Sequence, residues 1–86
     1  MVKSIVLIST IRVIFMYFKR LRDLREDHDL KQSDVAAYLG IAQTVYSRYE
    51  RGFQTIPVEH LINLADWYKV STDYILGRTD DDSQIK

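Results

Sequence analysis

The stretch from Leu30 to Gly52, LKQSDVAAYLGIAQTVYSRYERG, constrains the fold more than any other part of the chain. Leu30, Val35, Ala36 and Leu39 recur at spacings that place them on one side of a helix. Gly40 follows them, and a residue without Cβ can take the left-handed conformation that stops a helix sharply. A second helix is expected over about Gln43–Arg51, with Val45, Tyr46 and Tyr49 turned inward. Its other side carries Gln43, Thr44, Ser47, Arg48 and Arg51. Nearly all of these side chains can hydrogen-bond to a base edge or a phosphate.

A helix, a short turn and a second helix with a polar outer face is the helix-turn-helix arrangement, which lays its second helix in the major groove. Taken alone, such a face is only the solvated side of an amphipathic helix. The flanking segments add to it. The chain resembles the lambda-repressor-like, Xre-type helix-turn-helix family of bacterial and phage regulators. Leu21-Arg22-Asp23-Leu24-Arg25-Glu26 resembles the family's first helix, and Tyr49-Glu50-Arg51-Gly52 the end of its recognition helix. Ile56-Pro57-Val58-Glu59 followed by Leu61-Ile62-Asn63-Leu64-Ala65 resembles the fourth helix, and Ser71-Thr72-Asp73-Tyr74-Ile75-Leu76-Gly77-Arg78 the fifth. The resemblance runs from about Met16 to Thr79 and implies a compact, all-α, five-helix bundle.

Length and composition agree with that class. The 86 residues are expected to make one domain at most, with a modest core that suits a compact helical bundle better than a deep catalytic cleft, and a second, ligand-sensing domain is not expected within them. There is no cysteine, which excludes a disulfide frame or thiolate zinc site and fits a reducing cytoplasm. His28 and His60 sit in no metal-ligand or nucleophile pattern, and there is no Gly-rich phosphate loop. No catalytic residue, metal or cofactor is expected. Net charge is zero, whereas a protein that bound nucleic acid by charge alone would be basic. The charge is uneven, however. Lys19, Arg20, Arg22, Arg25, Lys31, Arg48 and Arg51 precede an acidic end at Asp80, Asp81 and Asp82. A neutral total with a basic face implies weak non-specific affinity and reliance on specific contacts, doubled by dimerisation.

Residues 1–16 stand apart as an apolar N-terminal extension. The run MVKSIVLISTIRVIFMYF is rich in Ile, Val and Phe and is strand-prone. It is too short to cross a membrane, Arg12 interrupts it, and no small-residue cleavage site of a secretory signal follows. Three readings stay open: sequence upstream of a start at Met16, a strand that pairs with its copy in a dimer, or an extra helix over the bundle. So apolar a segment needs cover, which makes residues 1–18 a candidate for a protein partner.

The domain proper is expected over residues 17–78. Its first helix should run from about Tyr17 to Asp27, with Phe18, Leu21 and Leu24 inward and Arg20, Arg22 and Glu26 outward. Asp29, in the following connection, tolerates a left-handed conformation. Lys31 and Ala42 stand where the family prefers a capping Ser or Thr, so the second and third helices should fray at their starts, at about 1 kcal/mol each. Pro57 suits the first turn of a fourth helix in which Val58, Leu61, Ile62, Ala65 and Tyr68 form the inward stripe and Glu59, His60, Asn63 and Asp66 face water. Ser71 can cap a fifth helix, with Tyr74 and Ile75 inward and Gly77 at its end. Residues 79–86 are expected to form a disordered acidic tail.

The resemblance also assigns roles. Gln43, Thr44 and Arg48 should face the major groove, and the chemistry agrees. A glutamine amide matches adenine N6 and N7, an arginine forks onto guanine O6 and N7, and the threonine methyl fits thymine, with about 1–3 kcal/mol of discrimination per bidentate contact. Ser47, on the same face, is expected at a base or the sugar-phosphate. Gln32, at the start of the second helix, and Arg51 and Gln54, at and beyond the end of the third, are expected at phosphates. Arg25 and Glu50 are implied as a partly buried ion pair that serves the fold. Tyr46 and Tyr49 belong to the core, and Trp67 is half-buried or at a dimer surface. Tyr68, Tyr74 and Ile75 are further candidates for that surface.

The implied function is sequence-specific transcriptional regulation, most concretely by a dimeric repressor. Two recognition helices would enter successive major grooves about 34 Å apart on a near-palindromic operator. The implied partners are double-stranded DNA and a second copy of the chain, with no membrane and a cytoplasmic location. Two alternatives remain: the antitoxin half of a toxin–antitoxin pair with DNA autoregulation, and a protein-interaction module on the same fold.

Overall fold

The computed structural model describes residues 17–83. The strand-prone extension, residues 1–16, and residues 84–86 lie outside the described residues. Within them the chain forms five helices and no strand: α1 Lys19–Asp27, α2 Gln32–Leu39, α3 Gln43–Glu50, α4 Val58–Tyr68 and α5 Thr72–Ile75. This is the all-α bundle that the sequence predicts.

Every helix closes in the same way. A left-handed residue just past the end lets the next N–H reach back five residues, from Leu30 to the Arg25 carbonyl, Ile41 to Ala36, Phe53 to Arg48, Val70 to Ala65 and Arg78 to Asp73. The left-handed residues are Asp29, Gly40, Gly52, Lys69 and Gly77. Asp29 was legible in the sequence. Lys69, at φ +60°, was not, because a lysine carries no local signal for that conformation.

The core gathers Leu21 and Leu24 of α1, Val35 and Ala36 of α2, Tyr46 and Tyr49 of α3, four residues of α4 and Ile75 of α5. Ile56 and Val70 join it from the connections. Leu21, Val35, Tyr46 and Leu64 are sealed completely, and each such side chain contributes about 1.5–3 kcal/mol by leaving water.

Several local expectations need correction. In α4 the buried set is Leu61, Leu64, Ala65 and Tyr68, an i, i+3, i+4, i+7 face. Val58 is 69% exposed and Ile62 47%, because the helix turns its Leu64 side to the bundle and leaves that flank outside. His60 is half-buried, its ring 6.3 Å from Tyr49. Arg20 does not point into water: its guanidinium lies 4.0 Å over the Tyr74 ring and donates to the carbonyls of Tyr74 and Thr79. It also pairs with Asp80 at 2.7 Å, so the first residues of the expected tail are held against α1. Finally, the start of α2 has a partial substitute for its missing cap, since the Asp34 carboxylate accepts the Lys31 backbone N–H at 2.8 Å. Tyr68 and Ile75 are buried within one chain, which removes them as candidates for a dimer surface; Trp67 and Tyr74 stay half-buried.

Candidate nucleic-acid interface

The α2–turn–α3 unit is held by residues already used in the core. Gly40 at φ +72° turns the chain, the Ile41 N–H bonds back to Ala36, and Tyr46 and Tyr49 anchor α3 from below. That leaves the other side of α3 outside. Gln43, Thr44 and Arg48 are exposed and Ser47 is half-buried. Among the described residues none of these four side chains makes a hydrogen bond or ion pair. Ala42 supplies no side-chain cap, so the first-turn N–H groups of α3 add positive potential at the same end.

Behind this face lies a buried charge pair. Arg25 Nε donates to Glu50 Oε2 at 2.7 Å, and a second arm of the same guanidinium reaches Oε1 at 3.0 Å. Its third nitrogen donates to the Leu30 carbonyl at 2.9 Å. The Glu50 side chain is 3% exposed and that of Arg25 14%. Burial pushes the Glu50 carboxyl up, but the Arg25 guanidinium, the Tyr46 hydroxyl and the Gln32 amide outweigh it and hold it below the ordinary range. The Tyr46 hydroxyl lies near that carboxylate without meeting hydrogen-bond geometry, and burial pushes its own ionisation far up. The pair joins α1 to the end of α3 and fixes the angle at which α3 leaves the bundle.

The structure places the expected phosphate contacts unevenly. Gln32 is half-buried and donates its amide to Glu50 Oε1 at 3.2 Å, so its side chain is shared with the buried pair. Arg51 is exposed, its guanidinium 4.4 Å over the Phe53 ring, and Gln54 is exposed without a side-chain partner. Arg51, Phe53 and Gln32 border a cleft of about 570 Å³ completed by Tyr17, Arg22, Arg25 and Glu50. Arg22, expected outward on α1 and part of the basic face, lines this cleft as well. No sequence signal joins it to Arg51, because the two meet only when α1 packs beside the loop after α3. Among the described residues there is no cluster of side chains suited to a metal, and no helix is long and apolar enough to cross a membrane.

Comparison with known proteins places this geometry in a class. The helix-turn-helix family profile matches residues 21–75, and the chain belongs to that family, the lambda-repressor-like, Xre-type regulators, whose members bind DNA. One relative is the uncharacterized HTH-type transcriptional regulator YobD of Bacillus subtilis, 47% identical over 66 residues, covering 77% of this chain and 59% of YobD. Another is the cryptic phage CTXphi transcriptional repressor RstR of Vibrio cholerae, 38% identical over 55 residues, 64% of this chain and 50% of RstR. Antitoxin PezA of Streptococcus pneumoniae is 34% identical over 62 residues, 72% of this chain and 39% of PezA. The chain spans about half the length of the curated relatives it matches. No solved structure gives a significant match.

Proposed function

We propose that this protein is a sequence-specific transcriptional repressor that binds a near-palindromic operator as a homodimer, one recognition helix in each of two successive major grooves. The observation that carries this reading is the unpartnered outer face of α3. Gln43, Thr44, Ser47 and Arg48 stand on a helix fixed from below, with no side-chain hydrogen bond or ion pair among the described residues to break before they meet a base pair. In this reading Gln43, Thr44 and Arg48 read bases and Ser47 touches base or sugar. Arg51 and Gln54 hold phosphates, and Gln32 supports one while bonded to Glu50. Repression rather than activation is favoured by the likeness to RstR.

The test is selection of bound sites from a random duplex pool at two salt concentrations. A two-fold-symmetric motif with salt-sensitive affinity is expected; a folded protein that enriches nothing would overturn the proposal. The likeness to PezA favours one second reading, an antitoxin that also regulates its own promoter. Stable co-purification with the product of an adjacent gene, and loss of that product's toxicity, would select it.

A further inference from the structure

A second cleft, of about 510 Å³, lies between the start of α1 and the end of α5. Half-buried Phe18, Tyr74 and Leu76 give it an apolar wall, and Tyr17, 55% exposed, lines it as well. Lys19 and Asp23 also border it and neutralise each other at 2.8 Å. Arg20 is the remaining charge. Its guanidinium is fixed, because it lies over the Tyr74 ring and donates to the backbone carbonyls of Tyr74 and Thr79. Arg20 and Arg22 are two residues apart, so they leave α1 on nearly opposite sides. This cleft therefore occupies the flank of α1 away from Arg22, and none of Gln43, Thr44, Ser47 and Arg48 lines it.

One carboxylate already sits at its rim. Asp80, just beyond α5, accepts from the outer arm of Arg20 at 2.7 Å. Its side chain is 100% exposed and is not among the residues that form the walls. So exposed a pair is held weakly and exchanges readily for a better acceptor. The tail brings no apolar side chain to the wall, since residues 79–83 are all polar and their remaining bonds are internal. A rigid cation with an exchangeable acceptor thus adjoins an apolar surface that this tail leaves bare.

We infer that this cleft is a docking site for an acidic peptide segment of a partner protein. Arg20 is its carboxylate anchor, and Phe18, Tyr74 and Leu76 seat an adjoining apolar side chain. Asp80 stands in for the partner's carboxylate and yields to it. Charge selects an acidic segment, because a guanidinium already held in place presents its fork to a carboxylate with little freedom left to lose. The inference does not rest on the DNA-binding reading, since partner and duplex use different sides of α1.

The test titrates the ¹⁵N-labelled full chain with an unlabelled hexapeptide that alternates aspartate with phenylalanine, following amide shifts. Saturable shifts are expected at the start of α1 and the end of α5, and none from the same peptide with asparagine in place of aspartate. Arg20→Gln should weaken binding about tenfold or more, as loss of a charge-assisted hydrogen bond implies. Asp80→Asn removes the internal competitor and should tighten binding by about two- to fivefold. Asp82→Asn makes the same charge change at a residue that is not a partner of Arg20, and should leave the affinity at its wild-type value. No saturable shift in wild type up to about 1 mM peptide, or shifts centred on Gln43–Arg51, would overturn the inference. So would an Asp80→Asn chain that binds no tighter than Asp82→Asn, a comparison that stands even where Arg20→Gln fails to fold. A wild-type dimer that Asp80→Asn splits into monomers would give the cleft to the tail of a second copy and overturn the partner assignment.

Discussion

Removing Glu50 should cost the domain far more than its solvent-facing neighbours suggest. The carboxylate accepts two bonds from Arg25 and one from Gln32 at 2.7–3.2 Å, in a side chain 3% exposed. In Glu50→Ala the Arg25 side chain, 14% exposed in the wild type, loses the acceptor of two of its nitrogens. Stranding one member of a buried pair costs about 3–5 kcal/mol. An 86-residue chain has about 4–13 kcal/mol in total, so the variant should be close to unfolding and its melting point lower by about 12 °C or more. Replacing both partners, as in Arg25→Met with Glu50→Leu, should be much milder than Glu50→Ala, since no charge is left behind. Urea melts of wild type and these two variants measure this. The pair also sets a pH dependence. The folded carboxyl lies below its ordinary 4.5, so the contribution is complete above that value and is lost as pH falls through the folded value. Glu50→Gln should flatten the acid limb of stability. A Glu50→Ala chain within about 1 kcal/mol of wild type, or an unchanged acid limb in Glu50→Gln, would refute the argument that burial makes this pair an obligate unit.

Three further outcomes are expected. Arg48→Ala should relax selectivity at one base pair of each half-site by about 1–3 kcal/mol while the melting point stays put, read by repeating the site selection; loss of folding instead would move Arg48 into the core machinery. Lys69→Gly should raise stability by about 0.5–1 kcal/mol, because a lysine at φ +60° bears a steric cost that glycine does not, and a thermal melt suffices to check it. Gly52→Ala should lower stability by about 2 kcal/mol or more, since its φ is +78° and a Cβ there would stand 3.0 Å from the Tyr17 Cβ; an unchanged melt would mean that Tyr17 leaves that position freely.

The bundle was legible in the sequence wherever one segment decides its own state. The α2–turn–α3 unit, the glycine stops at Gly40 and Gly77 and the Ser71 cap, which accepts the Tyr74 N–H at 3.0 Å, are all local chemistry. What failed depends on where a helix meets its neighbours. Hydropathy gives α4 an apolar arc wider than the bundle can cover, and only packing decides that Leu64 goes in and Ile62 stays out. Arg20 looked like one more solvated cation until α5 brought the Tyr74 ring and the Thr79 carbonyl beneath it. The outer face of α3 was readable as a pattern of polar side chains. Its freedom from internal hydrogen bonds and ion pairs, and the cleft that Arg22 shares with Arg51, are properties of the assembled fold.

The zero net charge becomes informative once each cation is followed to its partner. Lys19 pairs with Asp23, Arg20 with Asp80, Arg25 with Glu50 and Arg78, more loosely at 3.8 Å, with Asp73. These cancel within the bundle. Beside the outer face of α3 and the start of α2, Lys31 and Arg51 have no acid partner among the described residues, and Arg22 has only an exposed one. Neutrality therefore belongs to the chain and not to this side of it. In the proposed dimer, three such cations per protomer give about six neutralised phosphates and a slope near −5 in log affinity against log salt. That is modest for an operator-binding protein, and it leaves discrimination to Gln43, Thr44 and Arg48 rather than to charge. A measured slope near −2 would mean that this side of the bundle does not lie along the backbone. One near −10 would require further cations, of which Arg48 and Lys69 lie among the described residues and Lys3, Arg12 and Lys86 outside them.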